Sequence, residues 1–190
     1  MSLKDRLGEF PVLETERLLL RETMPEKDFQ AHYLLWSDPE AMKFLPHPLL
    51  KSEEEALEKL RILKERYYDE TYVLAWTIAL KENNNYIGGI RYFSFFGYNY
   101  MIGEIGYELA REQWNKGFMT EALRAAVKYG FDSLGLNRIQ LTIRPENKAS
   151  SRMAEKSGFS REGLLRDWEY DTQKNKWRDM LMFSMLRSVK

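Results

Sequence analysis

The sequence predicts a mixed α/β (α+β) layer fold, one sheet with helices on its faces. Three observations predict it. β-Branched and aromatic residues concentrate at Tyr72 to Leu80, Tyr86 to Phe96 and Met101 to Leu109, as in strands. An amphipathic segment follows at Gly117 to Leu134, with Met119, Leu123, Val127 and Leu134 on one apolar stripe. Short strand-like and helix-like segments then alternate to the C-terminus. A chain of 190 residues suits a single domain, with its core over about 10–187.

The elements read in order as follows. Leu13 to Arg21 reads as a strand. Pro25 to Leu35 reads as a helix, with proline suited to its first turn. Ser37-Asp-Pro39 breaks that helix, and a short helix follows to Phe44. Pro46 and Pro48 stiffen the connection to a charged helix running from Ser52 to about Tyr68. Ser52 and Glu55 form a capping-box pattern at its start. The asparagines of Lys81 to Asn85 favour a hairpin turn between the first two central strands. Gly97-Tyr-Asn99 turns into the third. Gly135 suits the position just past the long helix. Arg138 to Ile143 is a short strand, Asn147 to Ser157 a short helix stopped by Gly158, and Ser160 to Tyr170 and Trp177 to Leu186 are two closing strands. This makes seven strands. Tyr92, Phe93, Phe95, Phe96, Tyr98 and Tyr100 crowd the central strands; one face of them is core, and the rest suits a cleft wall or a dimer surface.

Composition excludes several chemistries. There is no cysteine, hence no disulfide, thiolate nucleophile or cysteine-held metal. The two histidines, His32 and His47, are too few for a histidine-rich metal site. Lysine plus arginine equal aspartate plus glutamate at 29 each, without the basic excess typical of a nucleic-acid binder. The N-terminal Met1-Ser-Leu-Lys-Asp-Arg-Leu-Gly8 lacks the apolar run of a signal peptide. No stretch approaches the roughly 20 apolar residues of a membrane span. A cytoplasmic protein with no nucleic-acid or membrane partner is expected, either monomer or homodimer.

The most informative stretch runs from Ile105 to Leu123: a strand ends, a polar loop with Lys116-Gly117 follows, and the long helix begins. The first amides of a helix have no internal partners, and the helix dipole adds positive potential there. Such a turn binds phosphate, and Gly117 lets an anion approach the backbone. Many similar turns bind nothing, so the residues themselves must decide.

In Trp114-Asn-Lys-Gly-Phe-Met-Thr-Glu-Ala122 the chain resembles the GCN5-related N-acetyltransferase (GNAT) superfamily. Trp114, Gly117 and Met119 stand at the positions of its pyrophosphate motif. Trp114 and Met119 depart from the general pattern in the manner of the ribosomal-protein-alanine N-acetyltransferase (Rim-type) branch. Leu13-Glu-Thr-Glu-Arg-Leu-Leu-Leu-Arg21, Trp36-Ser-Asp-Pro-Glu-Ala-Met-Lys-Phe44, Asn147 to Phe159 and Arg178 to Leu186 are similar to segments of that branch, in the same order.

The resemblance implies a mostly antiparallel seven-stranded sheet, splayed between the strands ending at Leu109 and Ile143. It implies acetyl-coenzyme A as cosubstrate, and no metal. The pantetheine arm would pair with backbone at Tyr107, Glu108 and Leu109. The pyrophosphate would sit on the amides of Asn115, Lys116, Gly117, Phe118, Met119 and Thr120, beside Trp114. Asn147 would cap its helix and could contact the arm or the acceptor. The implied reaction is direct attack of a primary amine on the thioester, with a protein N-terminus as first acceptor and a polyamine or aminoglycoside as alternative. A sensor that binds acyl-coenzyme A without turnover is the competing class.

Glu104 is the first candidate for the base that takes the amine proton, and Glu108 the second. Four residues apart on a strand, they share a face unless a bulge intervenes; an ion pair or simple exposure is the plainer reading of either. A backbone N–H near Leu109 would face the developing oxyanion. The tyrosine that many superfamily members carry seven residues after the motif asparagine is here Ala154. Ser150, three residues after Asn147, is the substitute at the leaving sulfur.

Overall fold

The computed structural model describes residues 8–68, 73–171 and 174–187. The first seven residues and Tyr72, both used in the readings above, lie outside these. The described strands form one sheet of eight, in the order β1-β2-β3-β4-β5-β6-β8-β7. They are β1 (Leu13–Glu14), β2 (Leu18–Arg21), β3 (Leu74–Leu80), β4 (Tyr86–Phe96), β5 (Ile102–Leu109), β6 (Arg138–Ile143), β7 (Ser160–Asp171) and β8 (Lys176–Leu186). The helices are α1 (Pro25–Trp36), α2 (Glu53–Tyr68), α3 (Phe118–Asp132) and α4 (Lys148–Lys156).

The eighth strand corrects the sequence reading. Leu13 to Arg21 is a hairpin, with Leu13 opposite Leu20. Thr15 breaks the run: its hydroxyl accepts the Leu18 N–H at 2.9 Å and its backbone N–H donates to the Leu18 carbonyl at 3.0 Å, closing a turn, while the hydroxyl hydrogen goes to the Glu121 carboxylate at 2.6 Å. The short helix expected up to Phe44 is also absent. Only isolated turns form, the Met42 N–H donating to the Asp38 carbonyl and the Leu45 N–H to the Met42 carbonyl, and Pro46 and Pro48 lack the N–H groups that would carry a helix further. At the start of α2, Ser52 Oγ accepts the Glu55 N–H at 3.3 Å, and the Glu55 carboxylate accepts the Lys51 N–H, one residue earlier than the capping-box pattern places it.

Every neighbouring pair of strands is antiparallel except β5 and β6. Those two run parallel and pair only over Ile102–Glu104 and Arg138–Gln140. Beyond Glu104 they diverge, and β6 continues on β8 alone. The sheet is therefore forked. On its other edge β5 stays paired with β4 as far as Leu109, across a bulge at Phe93. The extra residue lies on β4, so β5 keeps its alternation and Glu104, Gly106 and Glu108 share one face.

The main core lies between the sheet and α3, built on Leu18, Ile78, Ile90, Tyr92, Ile105, Leu123, Ala126 and Ile139. Gly130 lets α3 come close: a Cβ there would stand 2.1 Å from the Tyr92 hydroxyl, which donates to the Ala126 carbonyl. On the opposite face a smaller cluster of Leu35, Trp36, Met42, Leu50 and Ala56 holds α1 and α2 together. No helix among the described residues is long and apolar enough to cross a membrane.

Candidate active site

The fork opens into a cleft of about 1430 Å³. Glu104, Tyr107, Glu108, Leu109, Trp114, Asn115, Gly117, Phe118, Met119, Thr120, Asn147 and Ser150 all line it. Of the candidate site residues Lys116 alone does not, its ammonium donating to Gln113 Oε1 at 3.2 Å. One wall is α2, where Lys59, Ile62, Leu63 and Arg66 fall on one face at helical spacing. The facing wall carries Trp168 and Tyr170 of β7.

Glu104 stands where β5 and β6 part. It is buried, accepting the Thr142 hydroxyl at 2.8 Å and Gln140 Nε2 at 3.2 Å, both from β6. Among the described residues no lysine or arginine pairs with it. A carboxylate has lone pairs for about four hydrogen bonds, so capacity remains. Glu108, on the same face, differs. Arg91 holds both its oxygens, at 2.9 and 2.6 Å, and its side chain is 3% exposed. Of the two candidate bases, the geometry leaves only Glu104 uncommitted to a cation.

The β6 side of Tyr107 to Leu109 is an open strand edge. The Ala110 N–H donates to Ile87 on the β4 side, so alternation turns the N–H groups of Leu109 and Tyr107 toward the fork. The Leu109 carbonyl is already taken by Trp114 Nε1 at 2.9 Å, which pins the loop to the end of β5. Gly117 caps α3 in the left-handed region, at φ 82°. Among the described residues the amides of Asn115 to Thr120 meet no carbonyl acceptor, as the start of a helix dictates.

Sequence reasoning missed what holds this loop. Arg17, between β1 and β2, grips Glu121 in the first turn of α3. Its backbone N–H and Nε donate to the two carboxylate oxygens at 2.9 and 2.8 Å, and its NH1 donates to the Lys116 carbonyl at 3.0 Å. The guanidinium lies 4.5 Å over the Phe118 ring. Burial acts to raise the Glu121 carboxyl, but the bonds from Thr15 and Arg17 hold it below its ordinary range. Arg91 was missed too. The signal available was a lone charge inside the apolar run of β4.

At the α1 side of the cleft, the Trp36 ring stacks on His47 at 5.4 Å, with Lys59 at 5.0 Å and His32 at 5.1 Å. Burial above all, and then the Arg91 and Lys59 charges, lower His32 to about 3 and His47 to about 4. Both are neutral near pH 7. An unfolded histidine titrates near 6.5, so below that pH the unfolded chain binds more protons than the folded one. Buried His32 is therefore expected to lower stability as pH falls from about 6.5 toward 4, by up to about 1.4 kcal/mol per pH unit. Urea midpoints measured across this range should fall less steeply in His32→Gln than in the parent. Equal slopes would rule out the assignment.

At the α4 side of the cleft, Asn147 caps α4, its Oδ1 accepting the Ser150 N–H at 3.1 Å. The Tyr107 hydroxyl is buried close to Ser150. Burial pushes it up to about 12, and the Ser150 side chain offsets only part of this.

Comparison with known proteins agrees with this geometry. The family profile described as an acetyltransferase (GNAT) domain matches residues 17–160. The N-acetyltransferase YoaA of Bacillus subtilis, itself uncharacterized, is 34% identical over 161 residues, spanning 85% of this chain and 89% of that one. The ribosomal protein uS5-alanine N-acetyltransferase of Escherichia coli is 32% identical over 81 residues, 43% of this chain and 41% of its own. A GNAT-family acetyltransferase of Bacillus anthracis superimposes with a TM-score of 0.81 at 30% identity, over 93% of this chain and 98% of that structure. A forked sheet with an open β5 edge, a loop of unpaired amides and a profile match over most of the chain identify this protein as a member of the GNAT acetyltransferase family and an N-acetyltransferase.

Proposed function

We propose that the acetyl donor is acetyl-coenzyme A seated in the fork, and that the acceptor is the α-amine of a protein N-terminus. The carrying observation is the position of Glu104. It is a buried carboxylate held by two neutral donors, at the point where an open strand edge meets the other side of the fork. The β5 edge suits the amide-bearing pantetheine arm, and the unpaired amides of Asn115 to Thr120 suit its pyrophosphate.

An α-amine has a pKa of about 8, so roughly a tenth of it is neutral at pH 7, whereas a lysine amine near 10.4 is neutral in well under a thousandth. An N-terminus thus makes a modest demand on its base. The neutral amine attacks the thioester carbonyl, Glu104 takes the amine proton, and the Leu109 N–H faces the oxyanion. The carbon–sulfur bond then breaks, with Ser150 at the sulfur.

Two features support a peptide acceptor. The cleft, about 1430 Å³ in all, leaves room for an extended acceptor beside the donor. Seven basic side chains line it against four acidic ones, which disfavours a polycation such as a polyamine. The partial similarity to the E. coli alanine N-acetyltransferase points the same way.

Calorimetric titration with acetyl-coenzyme A, alongside dephospho-coenzyme A and adenine, tests the donor site. Binding that requires the pyrophosphate is expected. Gly117→Val should weaken it by about 10-fold or more, since a β-branched residue at φ 82° costs roughly 1–2 kcal/mol and turns the amides away. Unchanged affinity in that variant would refute the loop assignment. A screen of N-terminal peptides beside polyamines then tests the acceptor.

A further inference from the structure

The cleft carries more positive charge than its own carboxylates neutralise, and the excess is not spread evenly. Three of the four lining carboxylates are paired: Glu40 with Lys43, Glu108 with Arg91 and Glu169 with Arg144. Among the described residues no carboxylate pairs with the lining cations Lys59, Arg152 and Lys156. Arg152 and Lys156 are exposed on α4, where water solvates them. Lys59 differs. It is partly buried on α2, with its ammonium 5.0 Å from the centre of the Trp36 ring. Burial lowers it below the ordinary lysine range, and the Glu55 charge offsets only part of this.

The ring contact does not saturate Lys59, because an ammonium has three hydrogens to donate. A second donor in the same corner also lacks an acceptor. Trp36 Nε1 is buried without a hydrogen-bond partner, which native proteins rarely tolerate. The indole N–H is closed off, so the ammonium is the group a ligand meets. This corner lies on the face of β5 that carries Glu104. Arg91, which holds Glu108, stands 5.9 Å over the same Trp36 ring, and Glu104 shares the Glu108 face. Ile105 and Tyr107 alternate to the other face and pack in the main core.

Resting on the peptide acceptor proposed above, we infer that Lys59 is a specificity-determining residue that selects acceptors bearing an acidic side chain near the amine. An amine that yields its proton to Glu104 lies on this face of β5. Glu104 and Glu108, four residues apart, span about 13 Å of strand. An extended peptide covers that distance in about four residues. A carboxylate within about the first five residues of the acceptor therefore meets Lys59 while the amine is at Glu104. It brings the acceptor that this corner lacks. A lysine or arginine at the same place instead meets an unpaired like charge, which gives discrimination in both directions.

The test is a set of peptides of one sequence, with glutamate, glutamine or lysine placed in turn at each position from the second to the sixth. Initial rates give kcat/KM for each. At its best position the parent protein should favour glutamate over glutamine by about 3- to 5-fold, the range of a half-exposed ion pair, and should disfavour lysine. The preference should shrink at about 0.5 M salt. Lys59→Met keeps an apolar stem over Trp36 and should bring the glutamate-to-glutamine ratio close to one. Lys59→Glu should invert the order, in favour of lysine. Each readout is a ratio within one variant, so a general loss of activity does not imitate it. Equal rates for glutamate and glutamine at every position would overturn the inference and leave the peptide acceptor standing. A preference that Lys59→Met retains would do the same. Acetylation of polyamines but of no peptide would overturn the peptide acceptor, and this inference with it.

Discussion

Glu104→Gln is expected to lower kcat about 100-fold while leaving acetyl-coenzyme A affinity within about twofold. The substitution keeps shape and volume and removes only the ability to take a proton. Glu104 accepts from Gln140 and Thr142 in the folded protein. A glutamine oxygen can keep one of these bonds, and the Thr142 hydroxyl can reverse its role to accept from the new amide. General bases contribute roughly 10²–10⁴-fold. The lower end applies here because an α-amine is already partly neutral. The loss should shrink as pH rises past the amine pKa, where less proton removal is asked of the protein. Steady-state kinetics with a peptide acceptor from about pH 6.5 to 9.5 would read both effects. A parent-like kcat throughout would remove Glu104 from the reaction.

Glu108→Gln provides the contrast, because its effect should be on stability. It releases Arg91 from a bidentate partner in a buried site, without touching a group free to accept a proton. Two carboxylates on one strand and one face thus have different surroundings because of what stands across from each. On β6 Glu104 meets an amide and a hydroxyl; on β4 Glu108 meets a guanidinium.

This contrast marks how far the sequence could be read. Features set by neighbours in the chain were legible. The bounds of β4 and β6 follow from the asparagine turn before Tyr86 and from the glycine stop before Arg138. The loop at Gly117 and the cap at Asn147 were legible for the same reason, since each is a contiguous run whose residue types bear on local backbone geometry. Thr15 was a local signal too, but a threonine inside an apolar run also fits a strand, and only its bonds to Leu18 reveal the hairpin. What could not be read was pairing across the fold. Arg17 and Glu121 lie 104 residues apart, and Arg91 and Glu108 meet only because β4 and β5 take one register rather than another. A bulge on β5 between them, rather than on β4, would have put the two glutamates on different faces of the sheet.

Arg91→Met is expected to destabilise the fold by about 3–5 kcal/mol, because it strands a buried carboxylate. The Glu108 side chain is 3% exposed and that of Arg91 14%, so water can do little to replace the lost partner. Burial opposes the Arg91 charge, and the charge and hydrogen bonds of Glu108 outweigh it, raising the guanidinium above its ordinary range. For a chain of this size each kcal/mol shifts Tm by about 2–4 °C, so a fall of about 6–20 °C should appear in thermal unfolding. The pair itself need not stabilise the fold, since desolvation of both ions offsets much of their attraction. Arg91→Met combined with Glu108→Leu should therefore recover most of the loss. The double-mutant cycle would then show a coupling energy of several kcal/mol between two single variants that are each much worse than the pair. If the double variant were as unstable as Arg91→Met alone, the damage would lie elsewhere, in the packing of Arg91 against Trp36 at 5.9 Å. A recovered fold would also leave Glu104 and the open β5 edge in place, so acetyl-coenzyme A affinity in the double variant should stay near that of the parent. The ion pair would then be shown to play no part in holding the donor.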